Sequence, residues 1–228
     1  MLSNDYLDDL MVRMAHHSTA IEGNSLSQGE TKSILIDNYI PRAMDMRELH
    51  EVLNYKTFMP FLRDSIERKQ PISLNLIRST HAILCKDAIE SMPGEFKKRP
   101  NLILGAGFTP TPPYLVPSAL TDWILNLDAQ LAAAKDSHDI VEAICRQHIA
   151  FEHIHPFPDG NGRVGRALMV YSCLLANVPP IVIPAERRKE YINYLNTQNL
   201  PGFIVFSESL QAEEQERMKC LSCGICPT

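Results

Sequence analysis

The chain has 228 residues, 45% of them hydrophobic and 21% charged, with 22 Lys and Arg against 27 Asp and Glu for a formal net charge of −5. That composition excludes disordered, collagen-like and repeat classes, and a chain of this length buries roughly 70% of its unfolded-state surface without needing disulfide or metal staples. The acidic balance also argues against a nucleic-acid partner, which calls for a basic field. The first ten residues, MLSNDYLDDL, lack the apolar segment of a secretory signal and the basic character of a transit peptide, and no apolar run is long enough to span a bilayer. Cys85, Cys145 and Cys173 lie singly in apolar, helix-like stretches, as reduced thiols do. The expected compartment is the cytoplasm, with no membrane partner.

In chain order, Leu7, Leu10, Met11 and Met14 recur at helical spacing over Asp5 to Ala20, with Ser3 or Asn4 as cap and Gly23-Asn24 as the stop. Ser27 and Glu30 form a capping-box pattern that opens a second helix to about Tyr39, before Pro41. A third helix is expected from about Met44 to Lys69, kinked or split near Met59 by Pro60, and Ser73 caps a fourth through about Cys85. Residues 93–117 hold six of the sixteen prolines and three of the ten glycines, which excludes helix. Leu102, Ile103 and Leu104, a glycine turn at 105–107 and Phe108-Thr109 predict a β-hairpin there. Further helices are expected over Ser118 to Ala134, His138 to His153, Arg163 to Ala176, Ala185 to Gln198 and Gly202 to Met218. The fold class is therefore all-α with one small hairpin, a single domain over residues 1–219. The tail at 220–228 carries Cys220, Cys223 and Cys226, a metal-ligand spacing without its fourth ligand, so a mobile, reduced terminus is expected.

The chemistry concentrates in residues 155–166, HPFPDGNGRVGR, between two predicted helices. Gly160, Asn161 and Gly162 just before a helix offer exposed N–H groups at a positive helix end, a ready phosphate site. Arg163 and Arg166 add cationic forks on the first turn. Asp159 is a hard oxygen ligand suited to Mg²⁺ or Mn²⁺ carrying nucleotide phosphates. His155 titrates near neutrality beside them. Together these residues point to phosphoryl or nucleotidyl transfer. His148, Glu152 and His153 do not have zinc-hydrolase spacing, and His148 and Glu152 read as packing and hydrogen-bonding supports for the loop.

The same string resembles the Fic family at all eight specified positions of HxFx(D/E)GNGRxxR. The resemblance implies a helical domain that transfers AMP from Mg·ATP to a Ser, Thr or Tyr hydroxyl of a target protein. It implies His155 as base, Asp159 as metal ligand, Gly160, Asn161, Gly162 and Arg163 as the phosphate cradle, and Arg166 at the γ-phosphate. Phe157 is the motif's apolar position, which anchors the loop in the core. Ser18-Thr19-Ala20-Ile21-Glu22-Gly23 fits the family's (S/T)xxxE(G/N) inhibitory motif, in the class with an N-terminal inhibitory helix at 1–24. In that class Ser18, Glu22 and Gly23 form the motif, and Glu22 pairs with Arg166.

By the same resemblance the hairpin is a flap, with Leu102, Ile103 and Leu104 pairing to a target chain as an added strand. Tyr191, Tyr194 and Asn199 fall where the family places adenine- and ribose-facing residues, although Leu200-Pro201-Gly202 departs from its usual pattern. The aromatic pair fits a core position equally well. The chain's own hydroxyls are possible secondary targets, and a homodimer is possible, with no feature selecting it. The alternatives are AMP removal or another nucleotidyl or phosphoryl transfer at the same site, and a non-catalytic protein that senses ATP.

Overall fold

A computed structural model describes residues 2–102 and 108–223. Nine α-helices lie among the described residues: α1 (Asn4–Ile21), α2 (Gln28–Leu35), α3 (Met46–Glu67), α4 (Leu74–Leu84), α5 (Val116–Ala133), α6 (Ser137–Ile154), α7 (Asn161–Leu175), α8 (Arg188–Thr197) and α9 (Leu200–Cys223). Short side-chain acceptors start most of them. Ser3, Asp45, Ser73 and Asp136 take first-turn N–H groups of α1, α3, α4 and α6, and the Ser27–Glu30 capping box is reciprocal, as the pattern predicts.

The central helix is α7. Residues 163–173 are buried on every side, as expected of a helix enclosed by neighbours rather than laid on a surface. It packs against α1, α3, α4 and α6. One core unites Leu10, Val52, Phe58, Leu76, Leu120, Trp123, Phe157, Val164 and Leu168. A second joins Ile144, Met169, Tyr191 and Phe203 behind the other face of α7. α1 is fastened across the bundle by Arg13, which donates to Asp9 at 2.7 Å and to Glu214 of α9 at 2.7 and 2.8 Å.

Three expectations change. α3 runs unbroken through Pro60, whose ring sits on the exposed side, so the lost ladder bond does not split the helix. The described flanks of residues 93–117 contain no strand. Pro110, Pro112 and Pro113 have no N–H to give a ladder, the Thr111 N–H donates to the His153 carbonyl at 3.3 Å, and Pro113–Leu115 forms a 3₁₀ turn leading directly into α5. Residues 103–107, with Ile103, Leu104 and the glycine turn, lie outside the described residues, and Leu102 is 85% exposed coil. Finally, α9 continues past residue 219 to Cys223, with no Gly or Pro after Gly202 to interrupt it, and Cys220 is disulfide-bonded rather than reduced. Cys226 lies outside the described residues. No helix among the described residues is long and apolar enough to cross a membrane.

Candidate active site

The loop between α6 and α7 is shaped by two left-handed residues. His155 ends α6 at φ 49°, and Gly160 caps α7 at φ 76°. A helical course through either would leave no loop. Glycine is required at 160 for a second reason, because a Cβ there would lie 2.3 Å from Cys85 Sγ. Phe157, wholly buried, pins the loop's middle into the core, where full burial of such a side chain stabilises by roughly 1.5–3 kcal/mol. Asn161 closes the loop on itself: its Oδ1 accepts the Phe157 N–H and its Nδ2 donates to the Phe157 carbonyl, both at 2.8 Å.

Residues that the sequence pattern did not single out hold the loop from outside. His81 of α4 stacks on Phe157 at 3.8 Å between centroids, accepts the Gly94 N–H at Nδ1 (2.7 Å) and meets the Asp159 carbonyl at Nε2 (3.0 Å). Those partners assign the proton to Nε2, and burial pushes this imidazole down to about 4, so it stays neutral. Lys97, also buried, donates its N–H to Pro156 and its Nζ to Asn101 and to the Ile154 carbonyl. Asn101 in turn donates to the Phe157 carbonyl at 2.9 Å. The loop is thus clamped at residues 154, 156, 157 and 159.

His155 carries a neutral imidazole. Its Nδ1 lies 3.3 Å from the Glu152 carbonyl, which assigns the proton to that nitrogen and leaves Nε2 with a free lone pair. Burial first, and the Lys97 charge less strongly, push its imidazole down to about 4. Asp159 keeps 54% of its side chain exposed, with Oδ1 accepting the Gly160 N–H at 2.6 Å. Its partner Arg163 points inward and is 1% exposed, with Nη1 at 3.3 Å from Glu51 and Nη2 at 3.7 Å from Asp159.

Ser18, Glu22 and Arg166 meet as the spacing requires, since residues four apart share a helix face. Arg166 donates Nε to Ser18 Oγ (3.0 Å), and Nη2 to the Ser18 carbonyl (2.8 Å) and Glu22 Oε1 (2.7 Å). Burial alone would lower this guanidinium, but Glu22 and its other anionic neighbours raise it above its usual range. Gly23, at φ 104°, ends α1 immediately after Glu22, with Gly23 and Asn24 N–H groups returning to Ala20 and Thr19 in a Schellman closure. Glu22 lies directly over the start of α7, so close that a Cβ on Gly162 would sit 2.3 Å from its carboxylate.

The proposed adenine-side residues diverge. Tyr191 is fully buried in the second core, its hydroxyl 2.8 Å from His148 Nε2, so it offers no open face. Tyr194 is half-buried and donates to Glu190, while Asn199 is exposed and accepts the Gly202 N–H at the head of α9. His148, Glu152 and His153 do not converge as metal ligands. His153 stacks on Phe108, while buried Glu152, pushed up to about 7 by burial, packs against Gly165.

Comparison with known proteins finds relatives in sequence and in fold. The Fic/DOC family matches residues 71–173. The chain is 32% identical over 187 residues to the protein adenylyltransferase fic-1 of Caenorhabditis briggsae, and 30% identical over 189 residues to the protein adenylyltransferase Fic of Drosophila willistoni. Each match covers 81% of this chain but 36% of the relative, so the chain spans about a third of the length of these relatives. A Fic domain containing signaling protein from Bacteroides thetaiotaomicron shares the fold at a TM-score of 0.87 and 22% identity, over 99% of this chain and 92% of that one. Fic-1 from Caenorhabditis elegans superposes at 0.82 with 25% identity, over 98% of this chain and 68% of that one. Through residues 71–173, which carry His155 and the loop after it, this chain belongs to the Fic/DOC family.

Proposed function

We propose that this chain is a protein adenylyltransferase that moves AMP from ATP to a Ser, Thr or Tyr hydroxyl of a protein, and that Glu22 restrains it. The observation that carries this reading is the convergence, on one clamped loop, of a neutral His155, an exposed Asp159 and the glycine-rich start of α7. The names of the relatives support AMP as the group transferred.

His155 Nε2 takes the proton of the target hydroxyl. The hydroxyl oxygen bonds to the α-phosphorus as the bond to the bridging oxygen breaks, and pyrophosphate leaves. The N–H groups at the start of α7 and its dipole hold the phosphate oxygens, and Arg166 is the cation for the terminal phosphate. Asp159 fits a divalent cation: it is a hard oxygen ligand, open to solvent, beside the phosphate cradle, and Mg²⁺ or Mn²⁺ with nucleotide needs one or two such carboxylates. The bound cation would neutralise charge on the departing pyrophosphate. Exposed Leu102 suits a surface that receives the target chain.

Inhibition follows from occupancy. Glu22 puts a carboxylate over the positive end of α7 and bonds Arg166, so the site already holds an anion where the terminal phosphate would go. Incubation of wild type, Glu22→Gly and Glu22→Gly/His155→Ala with Mg²⁺ and ATP, followed by mass spectrometry of protein adducts, tests the reading. The AMP adduct should be strongest in Glu22→Gly and absent in the double variant. Equal adduct in wild type and Glu22→Gly would remove the brake from the account.

A further inference from the structure

Glu51 lies on α3, outside the catalytic loop and outside the inhibitory motif, yet it is 3% exposed and carries three partners. Its Oε1 takes Arg163 Nη1 at 3.3 Å and Arg47 Nε at 3.2 Å, and its Oε2 accepts from Asn24 Nδ2 at 2.9 Å. Asn24 closes α1 just after Glu22 and also donates to the Glu48 carbonyl at 3.1 Å. Buried Arg163 therefore stands between two carboxylates, bonded to Glu51 and only near Asp159 at 3.7 Å, with its Nε unpartnered.

A guanidinium cannot shed its charge, and when enclosed it demands an anion. Glu51 meets that demand from the α3 side. Without it, the next carboxylate in reach is Asp159, and a shift of about 1 Å would bring that pair to charge-assisted hydrogen-bond distance. Asp159 would then be neutralised from within the protein, and its Oδ1 already accepts the Gly160 N–H.

We propose that Glu51 is a positioning residue of the nucleotide site: by holding Arg163 on the α3 side, it keeps the Asp159 carboxylate free for a divalent cation. The inference rests on the nucleotide-site reading above and adds a residue to it. Asn24 fixes Glu51 from the end of α1, so this support does not depend on Glu22 and persists when the Glu22–Arg166 contact is removed.

The test uses the full chain as Glu22→Gly/His155→Ala, which cannot turn over, and measures ATP affinity by equilibrium dialysis in EDTA and again with excess Mn²⁺. The ratio of the two isolates what the cation adds. Outer-shell partners of metal ligands typically matter by about 10–100-fold, so Glu51→Gln should lower the ratio by at least about tenfold while ATP affinity in EDTA holds. Glu51→Asp should recover most of it. Glu51→Met/Arg163→Met buries neither charge, keeps the backbone N–H groups at the start of α7 and leaves Asp159 uncontested, so its ratio, read against its own affinity in EDTA, should match the parent's whatever phosphate contact Arg163 makes; it still tests the proposal if the single variant does not fold. An unchanged ratio in folded Glu51→Gln, or a ratio lost in the Met pair, overturns the role of Glu51. Failure of the parent itself to bind ATP under either condition would instead refute the nucleotide-site reading.

Discussion

Gly160→Ala should be among the most damaging single-methyl additions in the protein, and its size can be worked from two independent features. The position sits at φ 76°, where an L side chain is strained by about 1–2 kcal/mol. The added Cβ also lies 2.3 Å from Cys85 Sγ and 3.5 Å from His81 Nε2, both in buried, packed surroundings, and such overpacking costs about 1–3 kcal/mol. Together they predict a loss of roughly 2–5 kcal/mol, with about 2–4 °C of melting temperature for each kcal/mol in a chain of this length. Cys85→Ala removes the atom that clashes but not the backbone strain. In a urea-denaturation cycle of wild type, both single variants and the double variant, the two changes should couple favourably by about 1–3 kcal/mol. A Gly160→Ala protein within about 0.5 kcal/mol of wild type would refute both the left-handed cap and the loop's seat against α4, and strictly additive losses would refute the seat alone.

The Glu22–Arg166 bond is charge-assisted, but Glu22 keeps 38% of its side chain exposed, so solvent discounts it to about 1–2 kcal/mol. Glu22→Gly should therefore raise initial-rate labelling by roughly 5–30-fold, and an unchanged rate would count against the brake. His81→Phe keeps the stack on Phe157 but strands the Gly94 N–H and the Asp159 carbonyl; labelling in a Glu22→Gly background should fall with little change in far-ultraviolet dichroism. Unchanged labelling would mean the loop does not need that clamp. His17, His81 and His155 are pushed down to about 4 and His148 to about 3, all chiefly by burial, so the unfolded chain takes their protons first. Stability should fall as pH drops from about 6.5 towards 4, opposed between about 7 and 4.5 by Glu152, whose raised carboxyl holds its proton in the folded state, and at the top of that window by His138, which its bond to Glu208 raises. A melting temperature that rises on acidification over that window would contradict the burial of these rings.

Much of the fold was legible because it is written locally. Ser27 with Glu30, Ser73 and the periodic Leu7, Leu10, Met11 and Met14 specify helices within a few residues of chain. So is the core of the site: His155 through Arg166 is contiguous, and Ser18 with Glu22 is one helical turn. What was not legible depends on chain separated by dozens of residues. His81 reaches Asp159 across 78 positions and Arg163 reaches Glu51 across 112, and neither has a spacing that a local pattern could register. Arg163 reads as an open phosphate ligand from sequence, yet the packing of α3 against α7 turns it inward. Pro60 failed as a break for a related reason: its helix is held by the tertiary packing of Tyr55, Phe58 and Leu62 around it, which outweighs one lost bond.

The central claim is that His155 directs AMP, rather than a terminal phosphate, onto a protein hydroxyl. It is tested most directly by giving Glu22→Gly and Glu22→Gly/His155→Ala Mg²⁺ with ATP labelled separately at the α- and γ-phosphates and counting protein-bound label. The account predicts label from the α-phosphate only, and only with His155 intact. Label from the γ-phosphate, or α-label that survives His155→Ala, would contradict it.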